Sequence, residues 1–350
     1  LILMTQIIKK ILHFHFGKDG GAERFFVNLA NAFREAEIEQ KFVIRPHRVW
    51  RKEIEELGAI HENHYRRLSI STLFLNRQVD RIVRDWNPDA VMAWMPRAAR
   101  LIKNWPDTFK VVRLGDFPRH LNHFRNCDMI VGNLPGIVEH CKELGWDKKT
   151  SVISNFAREV EPCPIDRSLF DTPKEVFLIA GAGRFVNRKG FDVLVRCLKS
   201  LPEAYLWLIG EGQEKSSLKS LAIKLGVLDR IRFTGWVDEP IHYIASADAF
   251  GMPSRHEPLG NSVLDAWRAK VPVVSTMSEG PSWYMRNGVD GMLVNIDATK
   301  DFAECLVAIR DDSHLGGRLV AGGSERLNDW FSRTKTVEKY LKQFRRRKES

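Results

Sequence analysis

A chain of 350 residues exceeds what one core of about 100 to 200 residues organises and reads as two domains. Its 54 Lys and Arg outnumber 44 Asp and Glu, giving a formal net charge of +10 and a pI near 9.4. The 44% of hydrophobic residues and ten Trp are ample for burial and exclude a disordered chain. The basic surplus leans to one side: residues 1–160 hold 26 Lys and Arg against 19 Asp and Glu, the remainder 28 against 25. A basic surface suits nucleic acid, an anionic membrane or a phosphorylated substrate equally well, so charge alone names no partner.

In chain order, short apolar runs alternate with amphipathic stretches: ILHFHF, a helix from about Ala22 to Glu35, KFVIR, DAVMAW, VVRLG and DMIVGN. That alternation predicts βαβ units around a mainly parallel sheet. The Pro-rich stretch REVEPCPIDRSLFDTPKE, with Pro162, Pro164 and Pro173, is expected to carry the domain linker. A second series follows: EVFLIAGAG, a helix around Asp192 to Ser200, AYLWLIG, IRFTGW, AFGMPS, VPVVST and MLVNI. The expected division is an N-terminal domain over 1–160, a C-terminal domain over 161–330 and a helix over 331–350 packing back toward the N-terminal domain. That last segment places Trp330, Thr334, Val337, Tyr340, Leu341 and Phe344 on one helical face and ends in Arg345, Arg346, Arg347 and Lys348. It reads as a terminal helix with a solvated basic tail or as a membrane-binding one.

Five cysteines, Cys127, Cys141, Cys163, Cys197 and Cys305, are odd in number, show no CxxC pair and read as reduced thiols of a cytosolic protein. No apolar run reaches the roughly 18 residues of a membrane helix. The opening LILMTQIIKKILHFHF is interrupted by Lys9 and Lys10 and lacks a cleavage site, so a signal peptide is not expected and Met4 reads as the natural start.

Three glycine-containing turns follow predicted strands. Gly17, Gly20 and Gly21 in HFGKDGGAERFF lie between a strand and a helix, where backbone N–H groups favour an anion. In GAGRFVNRKGFDVLV, Gly181 and Gly183 end a strand, and Arg184 and Lys189, five residues apart, can converge on a diphosphate. Both cations are equally consistent with a solvated loop. The third glycine of a dinucleotide fingerprint is missing, which weakens an oxidoreductase reading. The third segment, PSRHEPLGNSVLDAW, sets Glu257 on a loop, Leu259, Gly260, Asn261 and Ser262 at a helix start, and Asp265 on the helix's first turns. Two carboxylates near one crevice suit sugar hydroxyls, since an ionised carboxylate accepts two hydrogen bonds. The plainer alternative is a surface acid and a helix-dipole acid.

Taken together, GGAERF, GRFVNRKGFDVL, GEG at Gly210 to Gly212, RFTGW, SADAF and PSRHEPLGNSVLDAW resemble the retaining glycosyltransferases of family four, with the GT-B fold. The wording HEPLGN with HFGKDGGAERFF is most similar to bacterial lipopolysaccharide core transferases of the LpsB type. The resemblance implies an α/β protein of two facing Rossmann-like domains with parallel sheets and a cleft between them. It implies that Arg184 and Lys189 clamp a donor diphosphate, that Glu257 binds donor-sugar hydroxyls, and that Gly20, Gly21, Gly183, Leu259, Gly260, Asn261 and Ser262 line the donor. The second acid of the family's Glu-x7-Glu pattern, which holds the ribose, is Asp265 here, one methylene shorter. A site residue after the fourth strand falls within RLGDFPRHLNHF, where Asp116, Arg119, His120 and His123 compete; Asp116 and His120 are carried as catalytic candidates. Trp283 replaces the acid often seen after GPS, and no role is drawn from it.

Transferases of the other major fold hold Mg²⁺ or Mn²⁺ with a DxD motif, and no two Asp residues here are separated by one residue. The cations Arg184 and Lys189 can do the same electrostatic work, so no metal or other cofactor is expected. The pairs His13/His15, His61/His64 and His120/His123 lack a spaced third ligand and read as strand and loop histidines. Retention is implied to proceed by front-face attack, with the departing phosphate deprotonating the acceptor. Arg45, Arg48, Arg51 and Lys52 around Trp50, Arg66 and Arg67 after Tyr65, and Arg119 suit an anionic, lipid-linked acceptor such as a lipopolysaccharide core. The expected setting is cytoplasmic, peripheral on the inner face of the bacterial inner membrane. Alternatives are a transferase for another polysaccharide or glycolipid, or a nucleotide-sugar epimerase of the same fold. No recognised nucleic-acid motif accompanies the charge.

Overall fold

The computed structural model describes residues 8–18, 20–64 and 70–344, without the side chains of 70 and 71. Met4, the Tyr65, Arg66 and Arg67 group and the Arg345 to Lys348 tail lie outside the described residues. The chain forms two compact units, one from the residues up to Asn155 together with those from Arg333 onward, the other Phe156–Ser332.

The first unit runs β1 (Lys10–His15), α1 (Gly21–Glu35), β2 (Glu39–Ile44), β3 (Gly58–Glu62), α2 (Ile70–Trp86), β4 (Ala90–Trp94), α3 (Met95–Ala99), β5 (Phe109–Leu114), β6 (Met129–Gly132), α4 (Pro135–Glu143) and β7 (Lys149–Val152). Its seven strands pair in parallel in the order β3-β2-β1-β4-β5-β6-β7. The apolar runs read from the sequence become the interior strands, buried on both faces as parallel strands are. Strands β3 and β7 escape that reading because they close the two edges and are only partly buried, so GAIHE and KTSV carry no apolar run.

The second unit runs β8 (Leu178–Ala182), α5 (Phe191–Cys197), β9 (Tyr205–Ile209), α6 (Lys215–Leu225), β10 (Ile231–Gly235), α7 (Pro240–Ile244), β11 (Ala249–Met252), α8 (Asn261–Arg268), β12 (Val273–Thr276), α9 (Glu279–Tyr284), β13 (Met292–Val294), α10 (Thr299–Asp311) and α11 (Ser313–Trp330). Its six parallel strands are ordered β10-β9-β8-β11-β12-β13. One core cluster around Phe185, Leu194, Leu206 and Phe302 and another around Trp207, Phe250, Trp267 and Tyr284 include buried side chains of the sheet and the helices covering it.

The Pro-rich segment is not a free span. It is bound along its length to the second unit: the Ala157 N–H donates to the Phe331 carbonyl (3.2 Å), the Ile165 N–H to Ser246 Oγ (2.7 Å), and Arg167 forks onto Asp248 (3.0 and 3.1 Å). The division therefore falls between Asn155 and Phe156, ahead of those prolines. The expected helical face is also corrected at its start. Trp330 ends α11, where the Arg326 guanidinium lies 3.7 Å from its ring centroid, and Phe331 and Ser332 break the helix. The final helix α12 (Arg333–Phe344) leaves Thr334 exposed and buries Val337, Tyr340 and Phe344 within the first unit.

His13 and His15 lie on β1 with at most 1% exposure. Trp94 Nε1 donates to His13 Nδ1 (3.3 Å), so His13 Nε2 carries the proton toward Gln40 Oε1 (3.1 Å). Both nitrogens are used inside the fold. Burial pushes each imidazole from 6.5 down to about 3, with His13, Arg48 and Arg113 adding to the effect at His15. As pH falls below 6.5 the unfolded chain takes up protons that these buried rings refuse. Stability is therefore complete above that value and is lost toward pH 3, by about 1.4 kcal/mol per pH unit for each ring. Urea unfolding of the full chain at about pH 7 and about pH 5 should show this loss, and His13→Asn should remove about half of the dependence. Equal stability at both pH values would count against neutral buried rings.

Candidate functional site

Strand order in the second unit reverses between β8 and β11, so the connections leaving these neighbours run to opposite sides and open a crevice at their carboxyl ends. The loop after β8 carries Arg184 and Lys189, and the loop after β11 carries Glu257. Gly190 brings the two together: at φ 64° it passes so close to the Pro253 carbonyl that a Cβ would lie 2.0 Å from that oxygen. The Arg255 N–H then donates to the Arg188 carbonyl (2.8 Å). The Arg255 guanidinium fixes the junction, reaching the Asn187 carbonyl (2.7 Å), Asp192 (2.9 Å) and Asp297 (2.7 Å).

Held this way, Lys189 Nζ forms a direct ion pair with the Glu257 carboxylate, to which Ser254 Oγ also donates (3.4 Å). Glu257 is only 9% exposed. Behind it, Glu279 accepts the Glu257 N–H (2.9 Å) and meets His256 Nδ1 (2.6 Å). Burial opposes ionisation of Glu279, but the backbone N–H bonds and His256 hold its carboxyl below the ordinary range. Gly260, in the left-handed region at φ 88°, opens α8; a Cβ there would crowd Met252 and the Tyr284 hydroxyl, each at 3.1 Å. Leu259 is buried beside it, and Asn261 and Ser262 form the first turn of α8.

Asp265 lies further along α8, 8% exposed. The Arg158 guanidinium forks onto both its oxygens (3.3 and 3.2 Å) and reaches Glu239 with its other arm (2.6 Å). Burial pushes the Asp265 carboxyl above the usual range even with this cation beside it. The structure thus brings Lys189 and Glu257 into contact, sets exposed Arg184 and Gly183 on the same loop as Lys189, and turns Asp265 toward Arg158. The remaining candidates belong to the first unit: Gly20 and Gly21 at the start of α1, Arg45 and Arg48 beyond β2, and Asp116 beyond β5 with Oδ1 accepting the Phe117 N–H (2.8 Å). Arg119 and His120 are exposed on that last loop, and His123 accepts from Arg100 Nε (3.0 Å).

Arg158, Arg255 and Glu279 went unmarked in the sequence. Arg255 adjoins HEP and Glu279 adjoins GPSW, and that adjacency is the available signal; Arg158 lies in an aperiodic stretch with none. Removing Arg158 leaves two acids facing each other, one of them buried. Arg158→Leu should cost about 3 kcal/mol in urea unfolding, with only partial recovery in Arg158→Lys, which lacks the fork. A loss below about 1 kcal/mol would refute this role.

Comparison with known proteins identifies the family. The family model described as glycosyl transferases group 1 matches residues 175–312, the part of the chain that holds the site. Over 332 residues the chain is 47% identical to the lipopolysaccharide core biosynthesis glycosyltransferase LpsE of Rhizobium meliloti, covering 95% of this chain and 98% of the relative. It is 42% identical to LpsD of the same organism, covering 96% and 98%. Among solved structures, HepE of Anabaena in complex with UDP and glucose superposes with a TM-score of 0.80 at 18% identity, covering 96% of this chain and 99% of that one. That likeness shows the fold, GT-B with its two parallel sheets. The chain belongs to the group 1 glycosyltransferases.

Proposed function

We propose that the chain is a retaining, metal-independent hexosyltransferase of family four. In this reading it moves a sugar from a nucleotide diphosphate to a lipopolysaccharide core acceptor at the cytoplasmic face of the inner membrane. The observation that carries the donor half is the Lys189–Glu257 ion pair at the strand-order reversal. A cation and a carboxylate held 68 residues apart in sequence suit a substrate with a diphosphate on one side and hydroxyls on the other. On donor binding the diphosphate replaces Glu257 as the partner of Lys189, and the sugar hydroxyls take up the carboxylate. Arg184 and Lys189 then stabilise the charge that develops on the leaving nucleotide, which lowers the barrier directly, and Lys189 is already held at the crevice before reaction. The acceptor hydroxyl attacks on the face the phosphate is leaving, and a phosphate oxygen receives its proton.

Support for the substrates comes from the names of LpsE and LpsD and from the UDP and glucose bound to HepE. Support for the membrane comes from charge and exposure in the first unit. By sequence it holds 33 Lys and Arg against 20 Asp and Glu, whereas the second holds 21 against 24. Val49, beside Arg48, and Leu73 and Phe74 at the start of α2 are 68%, 63% and 61% exposed. Exposed apolar side chains on a basic unit suit an anionic leaflet.

A thermal-shift panel of UDP-, GDP- and ADP-sugars should reveal one donor that stabilises the chain. With that donor, Arg184→Ala and Lys189→Ala should each lower kcat at least about 100-fold, as loss of one such electrostatic contact does. Near-normal turnover in both would overturn the assignment. In vesicle flotation, anionic lipid should retain the chain and neutral lipid should not, and Leu73→Glu with Phe74→Glu should weaken retention. Equal binding to both lipids would sink the electrostatic version.

A further inference from the structure

The first unit contains a buried arginine that no acid accompanies. Arg113, near the carboxyl end of β5, is 2% exposed. Its Nε donates to the Tyr340 hydroxyl (2.9 Å) and its Nη2 to Asn155 Oδ1, while its guanidinium lies over the rings of Phe25 (4.4 Å) and Trp94 (5.2 Å). All of these partners are neutral, and among the described residues no carboxylate forms an ion pair with it. Asp116, on the following loop, accepts the Phe117 N–H. Arginine is almost never fully buried without a counter-charge, because removing it from water costs several kcal/mol.

The third arm, Nη1, has no partner among the described residues and points to a defined place. A Cβ built on Gly115 would lie 3.8 Å from Arg113 Nη1, 3.8 Å from Asn133 Nδ2 and 3.9 Å from Met95 Sδ. Asn133 is 4% exposed. The Asn133 N–H to Leu114 carbonyl bond (3.2 Å) joins the two strand ends and sets both donors beside Gly115, which is half-buried and therefore reachable. Met95, which completes this space, is one of the few residues other than glycine with positive φ, at 68°. Backbone strain of this kind clusters where ligands bind.

We propose that Arg113 Nη1 and Asn133 Nδ2 form an oxyanion site at Gly115 that takes a phosphate or carboxylate of the second substrate. The identity of the occupant rests on the proposed function: the cations assigned to the donor diphosphate, Arg184 and Lys189, lie in the second unit, and the anion at Arg113 is assigned to the acceptor. The chemistry is that of a charge-assisted donor pair, one cationic arm and one amide, on an oxygen anion. An uncharged sugar offers this pair no charge and leaves Arg113 without a counter-ion.

Arg113 itself anchors Tyr340 and Asn155, so Arg113→Gln can fail to fold. Gly115→Asp avoids that: its Cβ meets nothing closer than 3.8 Å, and its carboxylate occupies the site from within. Titration calorimetry is run on full-length chain in the Lys189→Ala background, which disables the diphosphate site. The probes are inorganic phosphate, glucuronate and, as the uncharged control, glucose. Binding of phosphate or glucuronate but not glucose is expected, phosphate alone marking a phosphorylated substrate and glucuronate alone an acidic sugar. Adding Gly115→Asp should weaken the anion at least tenfold. No anion binding, equal binding of glucose, or an affinity unchanged by Gly115→Asp would overturn the site. Nucleotide-sugar binding to the wild-type chain is measured alongside. Its failure would overturn the donor reading and leave the Gly115-dependent anion site standing.

Discussion

The contact on which the proposed chemistry of the second unit depends is the meeting of Lys189 with Glu257, and a single topological constraint produces it. Strands β9 and β10 lie on one side of β8, and β11 lies on the other. Only at that reversal do two loops from adjacent strand ends diverge without a helix crossing between them. The ion pair is then a matter of local fastening. Gly190 permits the close pass beside Pro253, and Arg255 ties its own loop to Asn187, Asp192 and Asp297. A lysine with four rotatable bonds and a loop carboxylate would gain little from each other in water. Here Glu257 is nearly buried and Glu279 holds its backbone. The geometry precedes any ligand, which is what electrostatic stabilisation of a leaving group requires.

What could be read from the sequence follows from how parallel strands are buried. Interior strands such as DAVMAW and AYLWLIG must be apolar on both faces, so they stand out as continuous runs. Edge strands carry no such requirement, and β3 and β7 were invisible for that reason. Motif spacing revealed Lys189, Glu257 and the Gly260 helix start, because each is set by a short turn whose geometry demands particular residue types. The guanidinium of Arg158 illustrates the opposite case. It meets Asp265 from 107 positions away, within a stretch that has neither helical nor strand period, and nothing local distinguishes it from a solvated arginine. The Trp330 to Phe344 periodicity likewise ran across a helix break, since Phe331 and Ser332 interrupt the pattern by only two residues.

The charge distribution changes meaning once the units are known. Divided at residue 160, the surplus is 7 on one side and 3 on the other. The chain, however, returns to the first unit at Arg333, and counting by unit gives a surplus of 13 against a deficit of 3. The terminal helix and its basic tail move from one account to the other. A net-acidic unit that carries the proposed diphosphate clamp is not a contradiction. Cations fixed at a crevice act at a few ångström, whereas net charge acts over a Debye length of about 8 Å or more and is screened by salt.

Two arginines bring these points together. Arg113 is buried and Arg158 partly buried, and both hold segments distant in sequence. Arg158 is surrounded by Asp265 and Glu239, so its charge is neutralised within the fold and its role ends with structure. Arg113 is met by a phenol, an amide and two aromatic faces. Aromatic faces and neutral acceptors recover part of the desolvation cost, but less than a carboxylate would. A fold that needed only the mechanical link among β5, Asn155 and α12 would be served by an uncharged donor of similar reach. Keeping a permanent cation there, with one arm beside a half-buried glycine and the Asn133 amide, is consistent with an anion that arrives from outside the chain.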